Sequence, residues 1–429
     1  MSNSTSIVLR LFFCLNLSIS VAFATENIEL NNLSVKQAIS YALDKNPNLA
    51  SINARFLAMS EIPVQAGAFP EPKLKFNFAN IPLDSFALDQ TPMTQIQFGI
   101  TQTLPYPGKL ALKSQLAKNF AKASGADWQD AKRKLIQQIR HQWWQLFYLD
   151  RALEIVARNQ GVLQQFIEVA ETKYSVGQGL QQDILLAQVE EYQLQDKELQ
   201  LLSMRHTTQA RLNLLMGINK RQNILISSTV DEQLPTVDEM SDYLPEAKQS
   251  RPDMIRAKLL SDAAETRFEL AKKDYYPDFQ VGASYGWRKD QTDLASLQFS
   301  MNVPWDTTHR QNPAKDQRNQ EWMQQKYALL ELENRIAEEI ESAIANYSRA
   351  TNQMRLFKDA IIPKAEQTVE AMLAGYQVNK VDFLNLLRAQ ITLFNYDTQY
   401  WQALSTANQF LAALDAAVGR QNGQEFSHE

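Results

Sequence analysis

A helical pair occurs twice in this chain, in register, and that repetition limits the fold more than any other feature. The first copy runs Tyr174-Ser175-Val176-Gly177-Gln178-Gly179-Leu180, continues through Asp183-Ile184-Leu185-Leu186-Ala187-Gln188 and ends at Leu214-Leu215-Met216-Gly217. The second runs Tyr376-Gln377-Val378-Asn379-Lys380-Val381-Asp382, continues through Leu386-Leu387-Arg388-Ala389-Gln390 and ends at Ala416-Ala417-Val418-Gly419. Val176 meets Val378, and Ala187-Gln188 meets Ala389-Gln390, at one constant offset of 202 positions. A chance match does not keep register over a whole helix. The chain is therefore read as a tandem duplication of a unit of about half its length, and such repeats organise a fold before anything else does.

The N-terminus reads as an address. Arg10 supplies a minimal positive charge, Leu11 to Phe23 is apolar, and Ala22-Phe23-Ala24 fits a small-x-small cleavage site. Residues 1–24 are thus expected to be a signal peptide, with the mature chain starting at Thr25. The alternative is an uncleaved anchor, but the apolar run is short for a spanning helix. The only cysteine, Cys14, lies inside this segment without the small residue that precedes a lipidated cysteine. The mature chain is then expected to hold no disulfide and no thiolate metal site. A net charge of −5 argues against a nucleic-acid partner. No later stretch approaches ~18 consecutive apolar residues, so no spanning helix is encoded.

The period of the apolar residues changes along each half. Leu33 to Lys45 and Asn48 to Gly67 read as helices separated at Asn46-Pro47, with Ser34 a plausible N-cap and Pro63 weakening the last turns. Leu74, Phe76 and Phe78 then alternate with Lys73, Lys75 and Asn77; Ile96, Phe98 and Ile100 alternate with Gln95, Gln97 and Gly99. These are strands at about 73–79 and 94–103, each with one apolar face. A hairpin of long helices follows over about 108–217, with no proline between Pro107 and Pro235. Its first arm, Gly108 to Tyr174, is about 66 residues and about 100 Å long. Ile139, Trp143, Leu146, Leu153, Val156 and Leu163 mark a near-heptad stripe on it. The second half repeats the plan: helices Met240–Ser250 and Asp253–Lys273, strands at about 278–288 and 294–303, and a hairpin over about 313–419. Pro363 is expected to bend its first arm. The domain reading is a first repeat over 25–230, a second over 231–420 and a flexible tail at 421–429.

Strands of this length and alternation suit a transmembrane β-barrel, apolar side to lipid and polar side to the lumen. Four strands cannot close a barrel, and open edges are not tolerated in hydrocarbon. Three copies would give twelve strands, within the known range. The alternative is a soluble sheet with one face on a core, but the helices are too long to cover so small a sheet.

At this point the chain resembles the TolC-type outer-membrane efflux channels over about residues 30–420. The residues that carry the resemblance are Gln102-Thr-Leu-Pro-Tyr-Pro-Gly-Lys109, Tyr275-Tyr-Pro-Asp278, Pro363-Lys-Ala-Glu366 leading to Gly375-Tyr376, and the two Tyr-x-Val tips. The resemblance implies a mainly α fold with transmembrane β: duplicated helix-strand-strand-helix units, a homotrimeric twelve-stranded barrel in the outer membrane of a Gram-negative bacterium, and a twelve-helix periplasmic tunnel. It implies the exit duct of a tripartite pump, docked to a periplasmic adaptor and an inner-membrane transporter, with no catalysis and no cofactor in this chain. Pro70-Glu-Pro72, Asn80-Ile-Pro82 and Gln102 to Lys109 look most like the heavy-metal efflux branch; drug or dye export is the alternative. No metal-ligand cluster is visible, and the scattered methionines read as packing.

The resemblance places a constricted periplasmic mouth at the two tips. The adaptor-docking tips would be Tyr174, Val176, Gly177, Gly179 and Leu180 in the first copy and Tyr376, Val378, Asn379, Lys380 and Val381 in the second. The gate would be Asp382, with Asn385 standing where the family has a second acid. Three Asp382 carboxylates near one axis would repel one another and favour cations. The competing role for Asp382 is a helix N-cap. Asp183 reads as a helix-start carboxylate, Gly177 and Gly179 as turn glycines, and Trp143, Trp144, Phe147 and Tyr148 as packing between helices. Tyr285 and Trp287 suit an interfacial aromatic belt. The rival classes are a structural periplasmic coiled coil, which predicts no barrel strands, and a periplasmic adaptor, which carries one hairpin and lipoyl-like modules. No constellation of catalytic side chains points to an enzyme.

Overall fold

The computed structural model describes residues 32–218, 224–227, 229–237 and 240–420. The expected leader and the 421–429 tail lie outside the described residues. The elements run α1 (Val35–Lys45), α2 (Pro47–Ser60), α3 (Ile62–Gly67), β1 (Lys73–Ala79), β2 (Gln95–Leu104), α4 (Lys109–Ser175) and α5 (Gln181–Met216). They continue with α6 (Met240–Ser250), α7 (Pro252–Lys273), β3 (Phe279–Trp287), β4 (Leu294–Met301), α8 (Asn312–Leu356), α9 (Ile362–Gln377) and α10 (Phe383–Val418). Helix α4 packs on α5, α7 and α10, and α8 packs on α7 and α10.

Two helices divide where one was expected. The Asn48–Gly67 stretch breaks at Glu61, because the Pro63 ring cannot accept the helix ahead of it. The arm carrying Pro363 changes to π geometry over Phe357–Ile361, one turn before the proline, and restarts as α9. The wider turn accommodates the ring and the hydrogen bond that proline removes.

The duplication is written in backbone hydrogen bonds. Gly217 (φ +74) and Gly419 (φ +95) end α5 and α10 in the left-handed region. The next amide returns to the helix in both: Ile218 N–H donates to Asn213 O and Arg420 N–H to Asp415 O, each at 2.9 Å. Both glycines press on the break between two short helices. A Cβ on Gly217 would lie 2.5 Å from the Lys45 carbonyl, and one on Gly419 3.0 Å from the Arg251 nitrogen. The residue at that break also serves the same end in each half. Asn46 donates to Leu215 O at 2.7 Å, and Arg251 donates to Ala417 O at 3.0 Å. Leu215 and Ala417 are again 202 apart.

Trp143 anchors the core at this level. It is buried, its indole N–H donates to Leu33 O at 2.9 Å, and its ring stacks on Phe147 at 5.8 Å. Trp144 and Phe147 meet Trp401 and its neighbours from α10 in the same cluster, so the aromatic group is packing between helices.

The four strands form one antiparallel sheet in chain order. Register sorts the side chains, apart from Leu294, which shares a polar row with Asn77, Gln97 and Gly286. One row runs Leu74, Ile100, Ala283, Leu297; the next runs Phe76, Phe98, Tyr285, Ala295. The interleaved rows are polar or small, such as Lys75, Gly99, Ser284, Ser296. Among the described residues no helix covers the apolar side: Leu74 is 83% exposed and Leu297 92%. The soluble-sheet alternative needs a core under that face, and the described residues of the single chain supply none. Among the described residues the outer edges of β1 and β4 have no partner strand.

Sheet and helices join where two of the distinctive motifs meet. The Tyr106 and Tyr276 rings stack at 4.4 Å, and the Tyr106 N–H donates to Asp278 at 2.7 Å. The buried Lys109 ammonium lies 3.1 Å from both Asp274 and Asp278. Partial burial works to raise the Asp278 carboxyl, but the Tyr106 amide and Lys109 together hold it below its usual range.

Candidate functional site: the two helical tips

Each tip reverses the chain through one residue in the left-handed region. Gly177 (φ +73) and Asn379 (φ +61) hold equivalent positions; asparagine is among the few side chains that tolerate this geometry. The turn bonds match as well. Gln178 N–H donates to Lys173 O at 2.8 Å, and Lys380 N–H to Gly375 O at 2.9 Å. One side chain has changed places between the copies. A Cβ on Gly179 would meet the Lys173 Cβ at 3.0 Å, and a Cβ on Gly375 would meet Val381 Cγ2 at 2.5 Å. The turn has room for one side chain across this pair. The first copy places it at 173 and the second at 381.

That exchange leaves Lys173 free to reach the second tip. Its buried ammonium donates to Tyr376 O and to Asn379 Oδ1, each at 2.5 Å, and sits 4.3 Å from the centre of the Tyr376 ring. The buried Tyr376 hydroxyl in turn donates to Asp183 Oδ2 at 3.3 Å, and its ring packs on Phe383 at 5.3 Å. Burial pushes the Tyr376 hydroxyl up to about 12, with the Asp183 carboxylate adding to the rise. It is a neutral donor at any physiological pH. The ends of α4 and α9 and the start of α5 are therefore latched together.

Of the residues singled out in sequence, Tyr376 and Asn379 belong to this latch. Tyr174, Val176, Leu180, Val378 and Lys380 are exposed around it, and Val381 is half-buried against Gly375. Asp382 precedes α10 with extended backbone (φ −73, ψ 145), but its side chain makes no capping hydrogen bond. The N-cap role weighed for it is not realised. Its carbonyl alone accepts, from Asn385 N–H at 3.1 Å and Leu386 N–H at 3.4 Å, and the Asp382 and Asn385 side chains are exposed. Asp183 is more than a helix-start carboxylate, since it is buried and bonded across to Tyr376. Lys173 was missed. The signal for it was the 173/375 mismatch in an otherwise matched turn.

Lys173→Met keeps the alkyl stem and removes the ammonium, leaving the Tyr376 carbonyl and Asn379 without their donor. The expected cost is about 1–3 kcal/mol of local stability. Amide hydrogen exchange should accelerate at 174–181 and 376–383; unchanged exchange at both tips would show that the ammonium holds nothing.

Among the described residues no His/Cys/Asp/Glu group has the arrangement of a metal site, and no helix is long and apolar enough to cross a membrane. A family profile described as outer membrane efflux protein matches residues 38–218 and 243–420. The cobalt-zinc-cadmium resistance protein CzcC of Cupriavidus metallidurans is 20% identical over 398 residues, covering 90% of each chain. Among solved structures, the outer-membrane channel OprN superposes with a TM-score of 0.78 at 16% identity, covering 90% of this chain and 89% of that one. CusC superposes with a TM-score of 0.78 at 15% identity, covering 90% and 92%. At these identities the structures establish the shared fold.

Proposed function

The chain belongs to the outer membrane efflux protein family, and on that premise we propose that this outer-membrane channel, which is not an enzyme, is the exit duct of a tripartite efflux pump. It works as a homotrimer, receives cargo through a periplasmic adaptor from an inner-membrane transporter, and supplies no energy of its own. The observation that carries this reading is the sheet. Its register gathers the large apolar side chains on one uncovered face, Leu294 at the start of β4 excepted, and among the described residues both edges are open. Such edges are satisfied in hydrocarbon only by closure, and β4 of one copy against β1 of the next gives twelve strands from three copies. The aromatic residues suit two belts: Trp287 at one end of the strands, and Trp305, 92% exposed, just past the other.

The cargo we propose is heavy-metal cations. The Cupriavidus metallidurans relative is named for cobalt, zinc and cadmium resistance, and that likeness supports metals over organic compounds. At the mouth, exposed and uncapped Asp382 side chains from three copies form the cation-favouring ring, and the exposed tip residues dock the adaptor.

A deletion strain tests the cargo. Sensitivity should rise to cobalt, zinc and cadmium salts, not to dyes, detergents or antibiotics, and the wild-type gene should restore growth. Sensitivity confined to organic compounds would remove the metal assignment and leave the channel. The purified protein in planar bilayers should pass current with a cation preference that Asp382→Ala reduces; equal selectivity in both would remove Asp382 from the mouth.

A further inference from the structure

In the barrel proposed above, one face of the sheet meets lipid and the other lines the lumen. The charge on the second face is one-sided. Lys73 and Lys75 are the only charged residues in the four strands, and both belong to the polar face. Lys75 shares its row with Gly99, Ser284 and Ser296, and Lys73 shares the next with Thr101, Gly282 and Gln298. No neighbour of Lys75 in its row is larger than serine, so none can cover its ammonium. The glycines hold these rows low. A Cβ on Gly99 would lie 3.2 Å from the Ser284 Cβ, and one on Gly282 2.6 Å from Thr101 Cγ2.

Both lysines are exposed, and neither has a carboxylate partner among the described residues. Glu71, the acid nearest to them in sequence, is exposed and bonded to neither. Loops 80–94 and 288–293, at the other end of the strands, differ. There Lys289 pairs with Asp89 at 2.8 Å, and Arg288 donates to the Pro92 and Thr292 carbonyls. Lys75 stands four residues before the Ala79 end of β1, about 13 Å along the strand. That exceeds the ~10 Å over which charges act in 0.1 M salt, so the loop acids do not cancel it.

We propose that Lys73 and Lys75 form an anion-selecting band at the base of the barrel, which binds multivalent anions and turns back bare divalent cations. Two lysines from each of three copies bring six ammonium groups into adjacent rows, a step that rests on the trimeric-channel reading above. Fixed positive charge facing a narrow aqueous bore concentrates anions and excludes cations. Metal cargo then passes the band carrying oxyanion ligands, such as carboxylates or phosphates, and not as the free ion. An edge-strand lysine can also deter stray pairing. Here, however, β1 must pair for the barrel to close, and its lysines point into the bore.

Block of the purified protein in planar bilayers by tripolyphosphate, in 0.1 M KCl, tests this. The wild-type current should be blocked, and the half-blocking concentration should rise by about tenfold or more in Lys73→Gln/Lys75→Gln. Lys73→Arg/Lys75→Arg keeps the charge and should be blocked like the wild type. Lys289→Gln, which removes a loop cation, should be too. If the double Gln variant does not assemble, Lys75→Gln alone should still raise the half-blocking concentration. Under a zinc chloride gradient, the reversal potential of the Gln variant should move toward zinc permeation. A wild-type current that tripolyphosphate does not block, equal block of wild type and Gln variant, block lost equally in Lys289→Gln, or an unmoved reversal potential each overturns the band, while the wild-type current keeps the channel. No current from any variant, the wild type included, removes the channel reading and this proposal together.

Discussion

Replacing Arg251 by Met is expected to destabilise the chain by about 1–3 kcal/mol, because it strips a partly buried carboxylate and a helix end of their shared cation. Arg251 is 2% exposed. Its guanidinium grips Asp253 with two bonds, 2.9 Å from Nε and 2.6 Å from Nη2. Its Nη1 donates to Glu339 at 2.6 Å and to the Ala417 carbonyl at 3.0 Å. Arg133 adds a second guanidinium bond to the same helix end, at Ala416 O, 2.5 Å away. Two cations thus sit on the negative end of the α10 dipole, at the junction where α10 stops and α7 begins. Arg251→Lys keeps the charge but cannot make the fork, so it should recover only part of the loss. Arg251→Met/Asp253→Asn should be milder than Arg251→Met alone, since the orphaned carboxylate goes too. A double variant as damaged as the single would show that the lost bond to Ala417, and not the stranded charge, dominates.

Acid should produce a related effect with a definite sign. Burial works to raise the Asp253 carboxyl, but Arg251, with Arg133 behind it, holds it below its usual range. A depressed folded-state pKa contributes stability above the unfolded value of about 3.9 that is lost as pH falls through the folded value. Thermal unfolding in detergent should show that loss below about pH 4, and Arg251→Met should show less of it.

These networks mark the boundary of what the sequence discloses. The duplication, the strands and the long helices were legible because each is a periodic signal spread over many residues. The offset of 202 even survives as matched hydrogen bonds at Gly217 and Gly419. The π turn at Phe357–Ile361 was not legible. Pro363 announces a disturbance, but whether helix bends or widens is decided by packing one turn earlier, where Phe357 is buried against Tyr396. The tip latch was half legible. Tyr376 and Asn379 stood out as tip residues, while their partner Lys173 read as one charge on a solvated helix end. A contact between residues 203 apart leaves no periodic trace. What it left was a break in symmetry, glycine at 375 where 173 has lysine, and symmetry has to be recognised before its breaking carries meaning. For Asp382 the sequence left a helix cap open, and only the position of the side chain, which makes no capping bond, removes it.

Leu297→Arg is expected to abolish outer-membrane assembly, while Gln298→Arg, one residue further along β4, is expected to be tolerated. The two side chains point to opposite faces of the same strand, and both are exposed. Leu297 is 92% exposed and lies in the row shared with Leu74, Ile100 and Ala283. In water an arginine there would lose almost no packing, so a sheet that stays in water predicts two equally harmless substitutions. In lipid the costs separate. A charge on the lipid face near the midplane costs about 2–4 kcal/mol, and a homotrimer incurs it in all three copies. In the proposed barrel the polar face would meet the lumen, where a further cation alters selectivity and not insertion. Fractionation of cells making each variant, followed by gels that preserve the trimer, reads the difference directly. Leu297→Arg should leave the outer-membrane fraction and Gln298→Arg should remain in it. Equal recovery of both would mean that the apolar face meets no hydrocarbon, and the open edges of β1 and β4 would then need a partner other than the next copy in a barrel.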